Sequence, residues 1–124
     1  MMNNTPRIVA WIGLALIVTT GLIHAIEAPD SFGEAAYKGW LFCLNGAGAL
    51  VAAYGIYRGK SRAGWNLGLL IAVGSLVGYA ANRTVGLPGI PAEPEAWLEP
   101  LGVAAVIAEG AFAACWAVSC RGGV

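Results

Sequence analysis

Four long apolar runs constrain this chain more than any other feature. Positions 8–28, 37–57, 65–85 and 97–119 each carry about 20 mainly apolar residues, the length a helix needs to cross a bilayer core. In hydrocarbon every backbone N–H and C=O must be satisfied within the segment, so such runs fold as helices. These runs and their short connections leave almost nothing of the 124 residues for a soluble domain. Composition agrees: 11% of residues are charged, against about 25% in soluble domains. The expected fold is all-α, a single integral-membrane four-helix bundle over residues 1–124.

The formal net charge is zero, which gives a nucleic-acid partner no electrostatic footprint. The charges are nonetheless sorted. Arg7, Arg58, Lys60, Arg62 and Arg121 flank one side of the four runs, five of the seven basic residues. Glu27, Asp30, Glu34, Glu93, Glu95 and Glu99 sit in or beside the other two connections, with Lys38 and Arg83 as their only basic company. The positive-inside rule then puts both termini in the cytoplasm and the acidic connections outside. The expected location is the inner membrane of the cell, with several passes. The first run is read as a retained span, because it is too long for the apolar region of a secretory signal and Pro29 follows the small residue Ala28.

Aromatic residues mark the same boundaries. Tyr37, Trp40, Tyr79 and Trp97 fall toward the outer ends of the runs, and Trp11, Tyr54, Tyr57, Trp65 and Trp116 toward the inner ends, as interfacial anchors do. Gly64 and Gly68, then Gly74 and Gly78, are spaced four apart, a spacing that lets helix backbones approach within one chain or between two. Packing within the chain is the expectation. Cys43, Cys115 and Cys120 lack C-x-x-C spacing and read as small buried apolar residues, Cys43 being too far along the bundle to bridge to the others.

The connection 29–36 is short and acidic. The connection after the third run, Gly86-Leu87-Pro88-Gly89-Ile90-Pro91-Ala92-Glu93-Pro94, holds three prolines and two glycines, and is expected to be non-helical and stiff. Residues 86–96 are expected to cap the outer end of the bundle.

His24, Glu27, Asn45, Asn82, Arg83 and Glu109 occupy the outer halves of the runs, and the inner halves hold nothing comparable. At 1.5 Å rise per residue, Glu27, Asn82 and Arg83 lie within roughly 5 Å of the outer surface, His24 about 6 Å down and Asn45 about 10 Å. Glu109 lies about 14–18 Å down, near the middle of a core ~30 Å thick. A carboxyl group there costs at least ~2.5 kcal/mol to insert, which makes it a functional candidate by default. The expected ligand or proton site is this graded file, with Arg83 as the counter-charge of Glu27 or another outer carboxylate. The structural alternative for Glu109 is an uncharged acid hydrogen-bonded to Asn45 or a backbone carbonyl, acting as helix glue. His24 and Glu27 share a helix face and are weak metal candidates, since one H-x-x-E supplies only two ligands. One histidine excludes bis-His haem ligation within one protomer.

The run Asn82-Arg83-Thr84-Val85-Gly86-Leu87-Pro88, followed by a Pro- and Glu-rich stretch and a span bearing Glu109, resembles an uncharacterised family of small bacterial four-span membrane proteins with an R-T-x-G-L-P motif ending span three. Other matching features are His24, Glu27 and Glu34, the stretch Tyr37-Lys38-Gly39-Trp40-Leu41-Phe42 and the basic connection 58–62. The family commonly carries a second histidine in the first outer loop and Gly-Pro after Leu-Pro; here Asp30-Ser31-Phe32 and Gly89-Ile90-Pro91 stand instead. The likeness implies a shared outer-face site without naming its ligand. In size and layout alone the chain is also similar to DoxX-like four-span proteins.

The expected function is that of a non-enzymatic accessory subunit or ligand-binding protein with an outward-opening polar pocket. Its expected partners are membrane lipid, a small lipophilic ligand, a larger membrane complex or a second copy of the chain, and no cofactor is expected. The alternative is a small proton-coupled transporter with Glu109 as its ionisable switch. A quinone-type redox enzyme has no C-x-x-C, paired histidine or nucleotide motif behind it.

Overall fold

Apolar runs bounded by glycine, proline and charge become helices whose lengths follow the runs closely. The computed structural model describes residues 6–122. Among these, the α-helices are α1 (Arg7–Glu34), α2 (Ala36–Arg58), α3 (Ala63–Thr84) and α4 (Pro100–Gly122), with a short 3-10 helix at Pro94–Leu98. All four α-helices are long and apolar enough to cross a membrane. No strand forms among the described residues; Leu87 and Ile90 pair only as an isolated bridge. Each helix packs on its chain neighbours, and α1 also packs on α4, which closes a four-membered ring. Short connections make successive helices antiparallel. The start of α1 and the end of α4 therefore lie at one end, the near end, while the Ala35 break and the Pro-rich connection lie at the far end.

Two boundaries differ from the sequence reading. The stretch 29–36 is not a loop: α1 continues through Pro29 to Glu34, and only Ala35, in extended conformation, separates it from α2. Proline removes one i→i−4 bond and normally breaks a helix. Here tertiary contact overrides it, because the Phe32 ring lies against Gly39, where any Cβ would collide with it, and meets Trp40 edge-on at 5.4 Å. Lys38 reaches back across the break to Glu34 at 2.7 Å. The second change is that α4 starts at Pro100. Residues 97 and 98 belong to the 3-10 helix instead, which begins on Pro94, a residue well suited to a first helical position. The Glu99 carboxylate accepts from the Gly102 N–H at 2.8 Å and so caps α4.

The apolar core lies toward the near end and is built on Ile17, Ala49, Ala52, Ile56, Trp65, Ala72 and Phe112. Trp65 stacks on Phe112 at 5.4 Å and is fully buried. This overturns its reading as an interfacial anchor. The rings fit because Gly13 faces Trp65 and Gly68 faces Phe112. Gly64 does the same job for backbones: a Cβ there would lie 2.6 Å from the Ile56 nitrogen and 2.8 Å from the Ala52 oxygen of α2. The other spaced pair behaves differently, since Gly74 and Gly78 face open space. Cys43 and Cys120 are exposed on the bundle surface rather than buried, and all three thiols are free.

Candidate functional site

The far half of the bundle carries the polar side chains that the apolar core lacks. On α1, Thr20 and His24 are one turn apart and face the same way. On α4, Glu109 faces them. Thr20 Oγ1 donates to Glu109 Oε2 at 2.6 Å, an interhelical bond between two fully buried side chains. His24 Nδ1 lies 2.7 Å from the Thr20 backbone carbonyl. A carbonyl oxygen only accepts, so Nδ1 carries a proton, and the neutral form of the ring then has its lone pair on Nε2. Nε2 faces Glu109 Oε2 at 3.9 Å, beyond hydrogen-bond range. Phe42 of α2 covers the imidazole at 5.0 Å between ring centres.

This arrangement corrects the expected partner of Glu109. Asn45 is not its neighbour: Asn45 Nδ2 donates to Ser75 on α3 at 2.7 Å, which ties α2 to α3. Its Oδ1 is buried without a partner. Thr20 takes the place assigned to Asn45. Its spacing of four from His24 was the available signal, but hydroxyl residues are common in apolar helices because they can bond their own backbone.

At the far end, Glu27 lies one turn beyond His24 and is half-buried, in the electrostatic field of Glu99, Arg83, Lys38 and Asp30. Arg83 is not ion-paired with it: among the described residues no carboxylate lies within 4.0 Å of the Arg83 guanidinium. Arg83 instead packs over the Tyr79 ring at 3.7 Å, donates from Nε to the Ala96 carbonyl at 3.3 Å and from Nη1 to Asn82 Oδ1 at 3.1 Å. Aromatic stacking and neutral acceptors hold the guanidinium where an ion pair was expected. Asn82 is 4% exposed, yet its Nδ2 has no hydrogen-bond partner. A buried amide donor left unmade costs about 1–3 kcal/mol, so this group is available to an incoming acceptor.

The Pro-rich connection closes over this end. The Asn82 carbonyl accepts from the Glu93 N–H at 2.8 Å, Leu87 and Ile90 exchange both backbone bonds, and Ile90 is buried. Gly86, at φ +86°, supplies the left-handed turn, and a Cβ there would lie 2.7 Å from the Ile90 oxygen. Two tyrosines anchor the connection: Tyr37 donates to the Pro88 carbonyl, and Tyr79 to the Trp97 carbonyl at 2.6 Å. At the level of His24 a groove of about 280 Å³ runs between α1 and α2, lined by Gly21, Leu22, Ala25, Cys43, Gly46 and Leu50. No group of three or more His, Cys, Asp or Glu among the described residues is placed to hold a metal ion.

The expected file thus resolves into two clusters and one outlier. Thr20, His24 and Glu109 form the deep cluster, and Glu27, Asn82 and Arg83 lie above it under the connection. Asn45 belongs to a separate α2–α3 contact. Comparison of the chain with protein-family models, curated proteins and solved structures gives no match.

Proposed function

We propose that this chain is a multi-pass inner-membrane protein, both termini cytoplasmic, that binds a small lipophilic molecule bearing acceptor oxygens at the far end of its bundle. In this reading it is a non-enzymatic binding protein or accessory subunit, and a member of the R-T-x-G-L-P family of four-span proteins. The observation that carries the proposal is the unpartnered Asn82 amide, 4% exposed, beside an Arg83 guanidinium that reaches only neutral oxygens. An incoming carboxylate or phosphate oxygen would satisfy both groups, and charge-assisted bonds to arginine are about twice as strong as neutral ones. An apolar groove lies in the same half of the bundle, between α1 and α2.

The test is extraction of the protein from native membranes in mild detergent, followed by solvent extraction and mass spectrometry of what remains bound. Wild type is expected to carry a molecule that Arg83→Gln and Asn82→Leu both lose. Identical extracts from the three proteins would remove the proposal.

The deep cluster favours a second reading, a proton-coupled transporter. A buried carboxyl group facing an imidazole lone pair across 3.9 Å offers two alternative seats for one proton. Glu109→Gln is then expected to abolish pH-driven substrate flux in proteoliposomes, and undiminished flux would exclude it. Small multidrug carriers also pair four short spans with a membrane glutamate, although theirs lies in the first span.

A further inference from the structure

The near end is as one-sided in charge as the far end is mixed. Arg7, Arg58, Lys60, Arg62 and Arg121 gather there, and the segments 7–16, 50–70 and 112–122 contain no Asp or Glu. Among the described residues none of these cations has a carboxylate within 4.0 Å. Arg58 donates to Tyr54 at 3.0 Å and Arg62 to the Cys120 sulfur at 3.1 Å, and Arg62 Nη1 is buried with no partner. Among the described residues no acidic side chain lies at this end.

A cleft of about 420 Å³ opens between α1 and α2 at the same end. Arg7, Trp11, Tyr57 and Gly59 line it toward the helix ends, and Leu14 and Ile56 line it further in. Gly59, at φ +66°, ends α2 with no side chain to fill the space. Trp11 and Tyr57 meet edge-on at 6.1 Å. The lining therefore changes along the helix axis from a cation, through two amphipathic rings, to aliphatic side chains.

We propose that this cleft binds an anionic phospholipid, with its phosphodiester on Arg7 and the upper part of an acyl chain along Trp11 and Leu14. The proposal rests on the bilayer reading above, which brings this end level with lipid headgroups. Charge complementarity selects an anionic headgroup over a zwitterionic one, because the cleft and its surroundings offer cations without a nearby acid. The aliphatic inner wall selects a lipid over free phosphate, which would engage Arg7 and leave Leu14 and Ile56 unused. Aromatic rings at headgroup depth complete the gradient from polar to apolar.

The experiment reconstitutes the full chain into nanodiscs of phosphatidylcholine with or without one-third phosphatidylglycerol, releases it into mild detergent, and counts retained lipid by native mass spectrometry. Wild type is expected to retain phosphatidylglycerol in preference to phosphatidylcholine. Arg7→Gln is expected to lower that retention about tenfold, the loss of one charge-assisted hydrogen bond to the phosphodiester. Arg121→Gln, outside the cleft and making only an exposed, screened contact, is expected to change it less than about twofold, with helix content by circular dichroism equal in all three proteins. Equal retention of the two lipids overturns the proposal, as does equal loss in both variants, which would mean a diffuse basic surface. Displacement of the lipid by soluble glycerol 3-phosphate also overturns it, in favour of a free-phosphate site. Failure of the chain to enter nanodiscs at all would overturn the bilayer reading and the cleft assignment with it.

Discussion

Glu109 was conspicuous in the sequence because a carboxyl group is rare in an apolar run, and His24 because it is the only histidine. Which groups meet them depends on the rotation of α1 and α4 about their axes, and no single residue encodes that. Depth alone favoured Asn45, yet Asn45 faces Ser75 and the hydroxyl of Thr20 reaches Glu109. Thr20→Val should therefore destabilise the bundle by about 1 kcal/mol, between the mean and the maximum for hydrogen bonds between membrane helices. Glu109→Gln keeps an acceptor for the same hydroxyl and should cost less. In the double variant the two losses should be non-additive, as read from unfolding midpoints in mixed micelles; additive losses would count against the bond. His24 gives an independent check on the cluster. Long-range proton–nitrogen spectra of the neutral ring should show the proton on Nδ1, and a proton on Nε2 would contradict its bond to the Thr20 carbonyl.

Element existence was legible, since each of the four apolar runs holds one α-helix over most of its length. Element ends were less so. The stretch 29–36 was read as a connection, but Phe32 seated on Gly39 carries the helix past Pro29. The glycine pattern was readable as a packing device without revealing which pair packs, because Gly64/Gly68 and Gly74/Gly78 have identical spacing. Structure separates them. Gly64→Ala would drive a methyl group into the α2 backbone, where no side chain can yield, and should destabilise the protein by about 1–3 kcal/mol. Gly74→Ala meets open space and should be neutral, or stabilising by up to about 1 kcal/mol through helix propensity. Equal effects of the two substitutions on thermal midpoints in detergent would contradict the packing described here. The Pro-rich connection was expected to cap the bundle, and its tyrosine anchors make that testable. Tyr37→Phe should raise amide exchange at Leu87 and Ile90 while leaving exchange in α2 unchanged.

For the whole molecule, the all-helical, four-helix plan followed from run length and backbone satisfaction, which are properties a sequence states directly. Closure of the ring, with α1 against α4, did not, because it depends on contacts between the two ends of the chain. The bilayer orientation proposed above is checked by C-terminal fusions. A fluorescent protein should be bright there and alkaline phosphatase inactive, and the reverse pattern would invert the assignment of both faces. Ala35 alone separates α1 from α2, so the chain has no slack to hold the two helices apart. In the bilayer reading proposed above, α1 and α2 are expected to insert as one hairpin, joined by the most extensive helix contact in the molecule. A flexible Gly/Ser linker in place of Ala35 would uncouple the two steps, and newly made chains should then include a fraction with α2 on the wrong side, detectable by protease protection during synthesis.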